Sequence, residues 1–314
     1  MKSPLVSVVM AAYNAQEYLN IAIDSILLQT YQNLELIIVD DGSTDSTPTI
    51  VGACSDSRIR YFRQKNKGLP AALNFGISKT AGKYIARMDA DDISHPERLK
   101  KQVEYLEKNN SVALLGTSFN IIDESNCTIG RSYHLARNED LQVEFLVRNP
   151  FGHGTIMVRR DALEAGGGYD ENQVIEDYDL WWRIAKNHQV ANLTEFLYSW
   201  RVVASGISHG SSDKRQKAIH EIVSRIWRET KPNLSTNQIQ SGLRHYEKLG
   251  PQYHEQFTYM LAAFVVASSK MGRYWLSAKL ISKILSIPGL RLAIKDTRKN
   301  PLSHNYLLKL IYKD

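Results

Sequence analysis

The chain is poor in cysteine: Cys54 and Cys127 are its only two among 314 residues. Two thiols cannot build a disulfide framework, and their separation does not match zinc-ligand spacing, so a reducing compartment is the expected setting. Long apolar runs are also missing. The N-terminal run at residues 5–12 has the length of one strand, too short for a secretory signal core with its cleavage site. The longest apolar stretch toward the C-terminus, residues 260–267, falls far below the roughly 18 residues of a membrane-spanning helix. Internal repeats and low-complexity tracts are absent. With 9 Pro, 18 Gly and 43% hydrophobic residues, the composition excludes collagenous, coiled-coil and disordered classes. The expectation is a cytoplasmic protein of roughly two domains.

Charge of one sign is scarce overall, with a net of +6, but it is unevenly placed. From Lys270 onward seven Lys and three Arg face only Asp296 and Asp314, a net of +8, which leaves −2 for the rest of the chain. A near-neutral body with a basic tail argues for an anionic partner at the C-terminus and against a nucleic-acid groove through the main domain.

Hydrophobic periodicity divides the chain near residue 210. Strand-like runs at 5–12, 34–39, 58–63 and 83–88 alternate with helical patterns at 15–30, 43–53 and 69–79. Such alternation indicates crossover units: a mostly parallel sheet with helices on both faces. A charged helix follows Pro96 to about Asn109. Further strands are expected at 112–117, 119–122, 128–133, 155–159 and 196–203, with helices at 139–148 and 177–186. Domain 1–210 is therefore α/β, and 211–314 reads as a basic helical region after a Ser, Gly and His linker. Within it, residues 274–285 place Trp275, Leu276, Leu280, Ile281, Ile284 and Leu285 opposite Lys279 and Lys283. A basic amphipathic helix of this kind suits a membrane surface, or equally a helix packed on its neighbours with a solvated face.

In parallel sheets ligands bind beyond the carboxyl ends of the strands, and acids collect there. The second strand runs into Asp40-Asp41-Gly42-Ser43-Thr44-Asp45. A helix cap needs one side chain, so two adjoining acids suggest a further task, such as accepting hydrogen bonds from a base imide or ribose hydroxyl. The fourth strand ends in Arg87-Met88-Asp89-Ala90-Asp91-Asp92. Clustered acids repel unless a cation sits among them, and Mg²⁺ or Mn²⁺ takes carboxylate together with phosphate oxygens. Asp92 and Ser94 have the competing role of starting the next helix.

These residues carry a family resemblance. Val6-Ser-Val-Val-Met-Ala-Ala-Tyr-Asn-Ala-Gln-Glu-Tyr-Leu19, Ile37-Ile-Val-Asp-Asp-Gly-Ser-Thr-Asp45, Asp89-Ala-Asp91 and Glu176-Asp177-Tyr-Asp-Leu180 resemble glycosyltransferase family 2, in order and spacing, over residues 5 to about 205. The resemblance implies a GT-A fold, a nucleotide-diphosphate sugar donor, a divalent metal and inversion at the anomeric carbon. By position, it implies that Ala11, Tyr13 and Asp41 border the base pocket, with Asp40 close by. Asn66, Lys67 and Arg87 would lie near the nucleotide, Asp89 near the ribose, and Asp91 on the metal, with Asp89 and Asp92 as further metal candidates. It makes Asp177 the general base, and it places His153, between two glycines, near donor or acceptor.

There is one departure. Family members often carry an aromatic-Arg-x-His stretch near the diphosphate, and Trp200-Arg201-Val202-Val203 keeps Arg201 but has Val at the His position; His209 lies at a different offset. The expected function is transfer of a sugar, from UDP before dTDP or GDP, to a saccharide or lipid-linked acceptor in surface polysaccharide or glycolipid assembly. The setting would be the cytoplasm or, peripherally, the inner face of an anionic membrane. Two alternatives stand beside it: a non-catalytic nucleotide or sugar binding module, and a sugar nucleotidyltransferase, although the latter wants a Gly-rich phosphate loop that Ala11-Ala12-Tyr13-Asn14 does not supply.

Overall fold

Strands without polar alternation need cover on both faces, and that requirement organises this chain. The structure is a computed structural model describing residues 3–146, 148–203 and 213–230. β1 (Val6–Ala12), β2 (Leu34–Asp40) and β4 (Tyr84–Asp89) are buried almost throughout, whereas β3 (Ile59–Arg63) is only partly covered at the edge. Besides these four, the described strands are β5 (Ile93–Ser94), β6 (Val112–Ile122), β7 (Thr128–Ser132), β8 (Met157–Arg159) and β9 (Gln189–Arg201), and the sheet runs β3-β2-β1-β4-β8-β6-β9-β5 with β7 beside β6. The first four positions are parallel. β8 (Met157–Arg159) runs antiparallel between β4 and β6, and β9 (Gln189–Arg201) lies parallel to β6.

Helices follow from the spacing of apolar residues. α1 (Leu19–Leu27) buries Leu19, Ala22, Ile23 and Ile26, one stripe of a helix laid on a core. α2 (Thr47–Ala53) and α3 (Leu69–Ser78) both carry proline in the first turn, where no backbone donor is needed. α3 is preceded by Gly68 at φ +90, which a side chain would resist. α4 (Arg98–Lys108), α5 (Asn138–Glu144), a 3-10 turn at His153–Thr155, α6 (Arg160–Ala165), α7 (Glu176–Ala185) and α8 (Asp213–Thr230) complete the described elements.

The expected crossover pattern is present, with local differences. The two strands expected at 112–117 and 119–122 are the single strand β6, which bridges them with irregular register. β9 begins at Gln189, earlier than expected, because β6 offers a partner along its whole length. That long strand also captures β5 (Ile93–Ser94), which pairs with Ser199 and Tyr198. Asp92 and Ser94 therefore do not start a helix; α4 begins only at Arg98, where His95 Nδ1 accepts the Glu97 N–H at 3.2 Å.

The chain divides into two compact units, Met1–Leu141 with Asn149–Ile222, and Gln142–Arg148 with Val223–Asp314. The first contains the sheet. In the second, the described part of α8 buries Ile226 and closes with the Thr230 hydroxyl donating to the Ile226 carbonyl at 2.7 Å. The expected boundary near residue 210, His209 and the amphipathic segment 274–285 lie outside the described residues. Among those that are described, no helix is long and apolar enough to cross a membrane.

Close packing of α3 on the sheet depends on Gly76, whose added Cβ would lie 2.7 Å from Val9 Cγ1 and 3.1 Å from Val39 Cγ2. Both neighbours are β-branched and buried, so neither can turn away. Gly76→Val is expected to cost about 1–3 kcal/mol by overpacking. Gly52→Ala in α2, where a Cβ would meet nothing within 4 Å, should instead stabilise by up to about 1 kcal/mol. Urea denaturation of the two variants beside the parent protein measures both signs.

Candidate active site

The strand register brings the first acids together. Ala12 lies opposite Asp40 on one side of β1, and Ala11 lies opposite Asp89 on the other. Beyond β1 the chain turns at Asn14, held at φ 49, whose Oδ1 accepts the Thr44 N–H while its own N–H donates to Ser43 Oγ. Ala15 and Gln16 add bonds to Thr47 Oγ1 and Asp45 Oδ2. These contacts lace the β1 and β2 exits into one rim, with Tyr13 half exposed upon it.

Asp40 and Asp41 differ sharply once neighbours are known. Asp40 is fully buried, accepting the Ser43 N–H at 2.7 Å and the Tyr61 hydroxyl at 2.8 Å, with Arg63 Nε at 3.2 Å. Asp41 instead holds the loop before α3: its Oδ1 accepts from Gln64 Nε2 and the Lys67 N–H, and its Oδ2 from the Gly68 N–H. Asn66 and Lys67 are thereby presented, exposed, beside the β2 exit. Gly42 makes the approach possible, since a Cβ there would fall 2.8 Å from the Asn66 nitrogen and φ is +84.

The turn after β4 gives each of its acids a separate environment. Asp89 forms an ion pair with Arg87. Asp92 is buried and accepts the Arg201 N–H at 2.7 Å; burial, then the adjacent Asp91, push its carboxyl up to about 7. Asp91 remains partly exposed, and burial raises it too, against the pull of Arg87. Arg201 is 2% exposed and each of its guanidinium nitrogens bonds the protein: Nε to the Asp91 carbonyl, Nη1 to the Asp123 carbonyl, Nη2 to Asn126 Oδ1. Its guanidinium also lies 4.2 Å from the Tyr18 ring centroid. Arg201, expected beside a diphosphate, ties the acid turn to the loop at 123–126.

Arg87 is a second buried cation of the site, 5% exposed. Besides its pair with Asp89, its charge lowers the carboxyls of Asp91, Asp92, Glu176 and Asp177 against the burial that raises them. Its Nε has no partner among the described residues.

Glu176 and Asp177 open α7, where the helix dipole favours negative charge. Asp177 Oδ1 accepts the Tyr178 N–H at 2.7 Å and Oδ2 accepts Asn149 Nδ2 at 2.7 Å. Glu176 Oε1 lies 3.8 Å from His153 Nδ1, and the other ring nitrogen of His153 bonds the Tyr169 hydroxyl at 2.9 Å. Burial and Arg87 push His153 well down, so its ring is neutral. Burial, then Asp177, push Glu176 up to about 7. Of the adjacent tryptophans, both are buried; Trp181 packs edge-on to His153 and Tyr169.

The expected residues thus fall into a rim (Ala11, Tyr13, Asp41, Asn66, Lys67), an acid turn (Asp89, Asp91, Asp92, Arg201) and an acid pair with His153, with Arg87 acting electrostatically on the last two. Asn149, Tyr169 and Arg215 were not anticipated. Arg215, on α8, also lowers both acids of the pair. None of the three sits in a motif, and only Asn149, preceding Pro150 and the Gly152-His153-Gly154 run, carried a local hint.

Comparison with known proteins decides the family. Glycosyl transferase family 2 matches residues 7–167. The O-antigen biosynthesis glycosyltransferase WbnJ of Escherichia coli is 32% identical over 259 residues, covering 78% of this chain and 96% of its own. The chain belongs to glycosyl transferase family 2. It is a glycosyltransferase, and its sheet is that of the GT-A fold. Among solved structures, residues 1–349 of S. aureus TarS in complex with UDP-GlcNAc match with a TM-score of 0.63 at 17% identity, over 94% of this chain and 92% of that one. The mannosyltransferase PcManGT of Pyrobaculum calidifontis, in complex with GDP-Man and Mn²⁺, matches with a TM-score of 0.52 at 17% identity, over 84% and 87%.

Among the described residues no group of three His, Cys, Asp or Glu side chains could hold a metal ion unaided. The acid turn of this glycosyltransferase nonetheless fits an ion shared with a ligand. Asp92 is turned inward, Asp89 is paired, and Asp91 is a desolvated, partly exposed carboxylate that a cation would relieve. Mg²⁺ and Mn²⁺ are commonly held by one or two carboxylates with phosphate oxygens completing the shell.

Glu176 supplies a pH signature. Its folded value near 7 exceeds the ordinary 4.5, so folding takes up a proton, and its contribution to stability is present below about 4.5 and declines as pH rises to about 7. Glu176→Gln removes that decline. Its stability relative to the parent protein should rise between about pH 5 and about pH 8, as read by urea denaturation at each.

Proposed function

We propose that this glycosyltransferase moves a sugar, with inversion, from a nucleoside-diphosphate donor to a hydroxyl of a saccharide or lipid-linked acceptor. The observation that carries the reading is that one buried arginine, Arg87, acts on both the acid turn at the end of β4 and the partly exposed Asp177 at the start of α7. One acid set suits a diphosphate and its counter-ion; the other suits an incoming hydroxyl. TarS in complex with UDP-GlcNAc and PcManGT in complex with GDP-Man support a nucleotide-sugar donor, and UDP is the first choice with dTDP and GDP as alternatives. WbnJ supports a place in surface polysaccharide assembly.

In this reading the base and ribose lie along the rim formed by Ala11, Tyr13, Asp41, Asn66 and Lys67. Asp40 braces the rim from beneath, and Asp89 reaches toward the ribose. Asp91, with Asp89 and Asp92 behind it, would hold Mn²⁺ or Mg²⁺, which supplies charge stabilisation for the departing diphosphate when bound. Asp177 takes the proton from the acceptor hydroxyl as its oxygen attacks the anomeric carbon. His153 and Glu176 border the sugar. Arg201 acts through Asp91 and Asp92, whose turn it holds. The basic C-terminal segment would carry the enzyme to the anionic inner surface of a membrane, where a lipid-linked acceptor resides.

Calorimetric titration with UDP, dTDP and GDP, each with and without Mn²⁺, tests the donor side. Binding of one nucleotide only with metal is expected, and Asp91→Asn should abolish it. Asp177→Asn should keep nucleotide affinity while the transfer rate drops on the order of a hundredfold or more. A fully active Asp177→Asn would remove the base assignment.

A further inference from the structure

The segment 149–155 meets the first two acids of α7, Glu176 and Asp177, by different means. Asn149 Nδ2 donates to Asp177 Oδ2 at 2.7 Å, while Asn149 Oδ1 accepts the Phe151 N–H at 3.2 Å. The second bond settles the orientation of the amide: a backbone donor needs the oxygen, so the NH₂ end must face the acid. The segment is itself anchored. The Pro150 carbonyl accepts from Asn192 Nδ2 at 3.2 Å and lies 2.8 Å from His134 Nδ1. Gly154 backs onto Tyr198, where a Cβ would stand 2.2 Å from the hydroxyl oxygen.

Asp177 therefore has one fixed donor on each oxygen, Tyr178 N–H on Oδ1 and Asn149 on Oδ2, with lone pairs left over on a partly exposed group. Among the described residues Glu176 receives no such amide; it faces a neutral imidazole whose far nitrogen is taken by Tyr169. We propose that Asn149 is a positioning residue for proton transfer, whose anchored amide aims Asp177 at the acceptor hydroxyl and makes Asp177, not Glu176, the working base. The inference rests on the reading of Asp177 as base given above. As the hydroxyl oxygen bonds to the anomeric carbon, the bond from that carbon to the diphosphate breaks. Its electron pair leaves on the diphosphate, and the hydroxyl proton passes to an open lone pair of Asp177. The amide bond is stronger to carboxylate than to carboxylic acid, so Asn149 keeps Asp177 ionised beside its charged neighbours. Those neighbours are Glu176 on α7, Arg87 on β4 and Arg215 on α8, with the Tyr169 hydroxyl nearby.

The test measures transfer kinetics across pH for Asn149→Ala and Asn149→Asp, with nucleotide binding by calorimetry and Asp177→Asn in parallel. Asn149→Ala should retain nucleotide affinity, lower kcat on the order of tenfold to a hundredfold, the worth of a hydrogen bond to a charged group, and move the acid limb of the kcat profile to higher pH. Asn149→Asp keeps the oxygen that Phe151 needs, so the segment stays folded even if the alanine variant does not. It sets a carboxyl against Asp177 and should move the acid limb further up. An inactive Asp177→Asn together with Asn149 variants of unchanged kcat and unchanged acid limb would overturn the positioning role alone. An active Asp177→Asn would overturn the base reading and this inference with it.

Discussion

A buried guanidinium surrounded by acids is the constraint on which the site depends. Arg87 stands on β4 between Asp89, to which it is paired, and the carboxyls of Asp91, Asp92, Glu176 and Asp177, all of which its charge favours in their ionised form. Five carboxyl groups gathered with so little solvent would neutralise themselves without such a cation. The balance is incomplete: Asp92 and Glu176 still lie near 7. Burial is the larger cause in both, and the adjacent acid the second.

Around that charge the fold supplies rigid mounts. The Arg87 carbonyl accepts from Arg98 Nη2 at 2.8 Å, and the same nitrogen reaches the Ile156 carbonyl at 3.1 Å. Gln29, fully buried on the loop after α1, accepts the Leu99 N–H and donates to the Ser25 and His95 carbonyls. Arg201 closes the acid turn from β9. Buried polar groups are mostly hydrogen-bonded, and the turn between β4 and α4 is held from the loop after α1, from α4 and from β9.

Much of this was legible early. Unbroken apolar runs alternating with half-apolar helices specify a covered parallel sheet, and acids at the ends of β2 and β4 mark the crevice. What was not legible is the division of labour among like residues. Asp40 and Asp41 are neighbours in one motif, yet Tyr61, Arg63 and Ser43 enclose the first while the loop at 64–68 claims the second. Asp91 and Asp92 likewise part company only because the backbone of Arg201 arrives beside one of them. Asn149 carried no motif, since an amide before a proline reads as a turn; its task exists only where α7 comes back to it.

The sequence by itself therefore determined the periodicity of the elements, the family and the strand ends at which acids gather, because each of these depends on residues close together along the chain. The tertiary structure alone decided which acids are braced inward and which stay partly exposed, that Arg201 bonds to the acid turn, and that Asn149 meets Asp177. Those outcomes turn on hydrogen bonds between segments far apart in the chain and on how far each carboxyl is removed from water, and no local pattern encodes either.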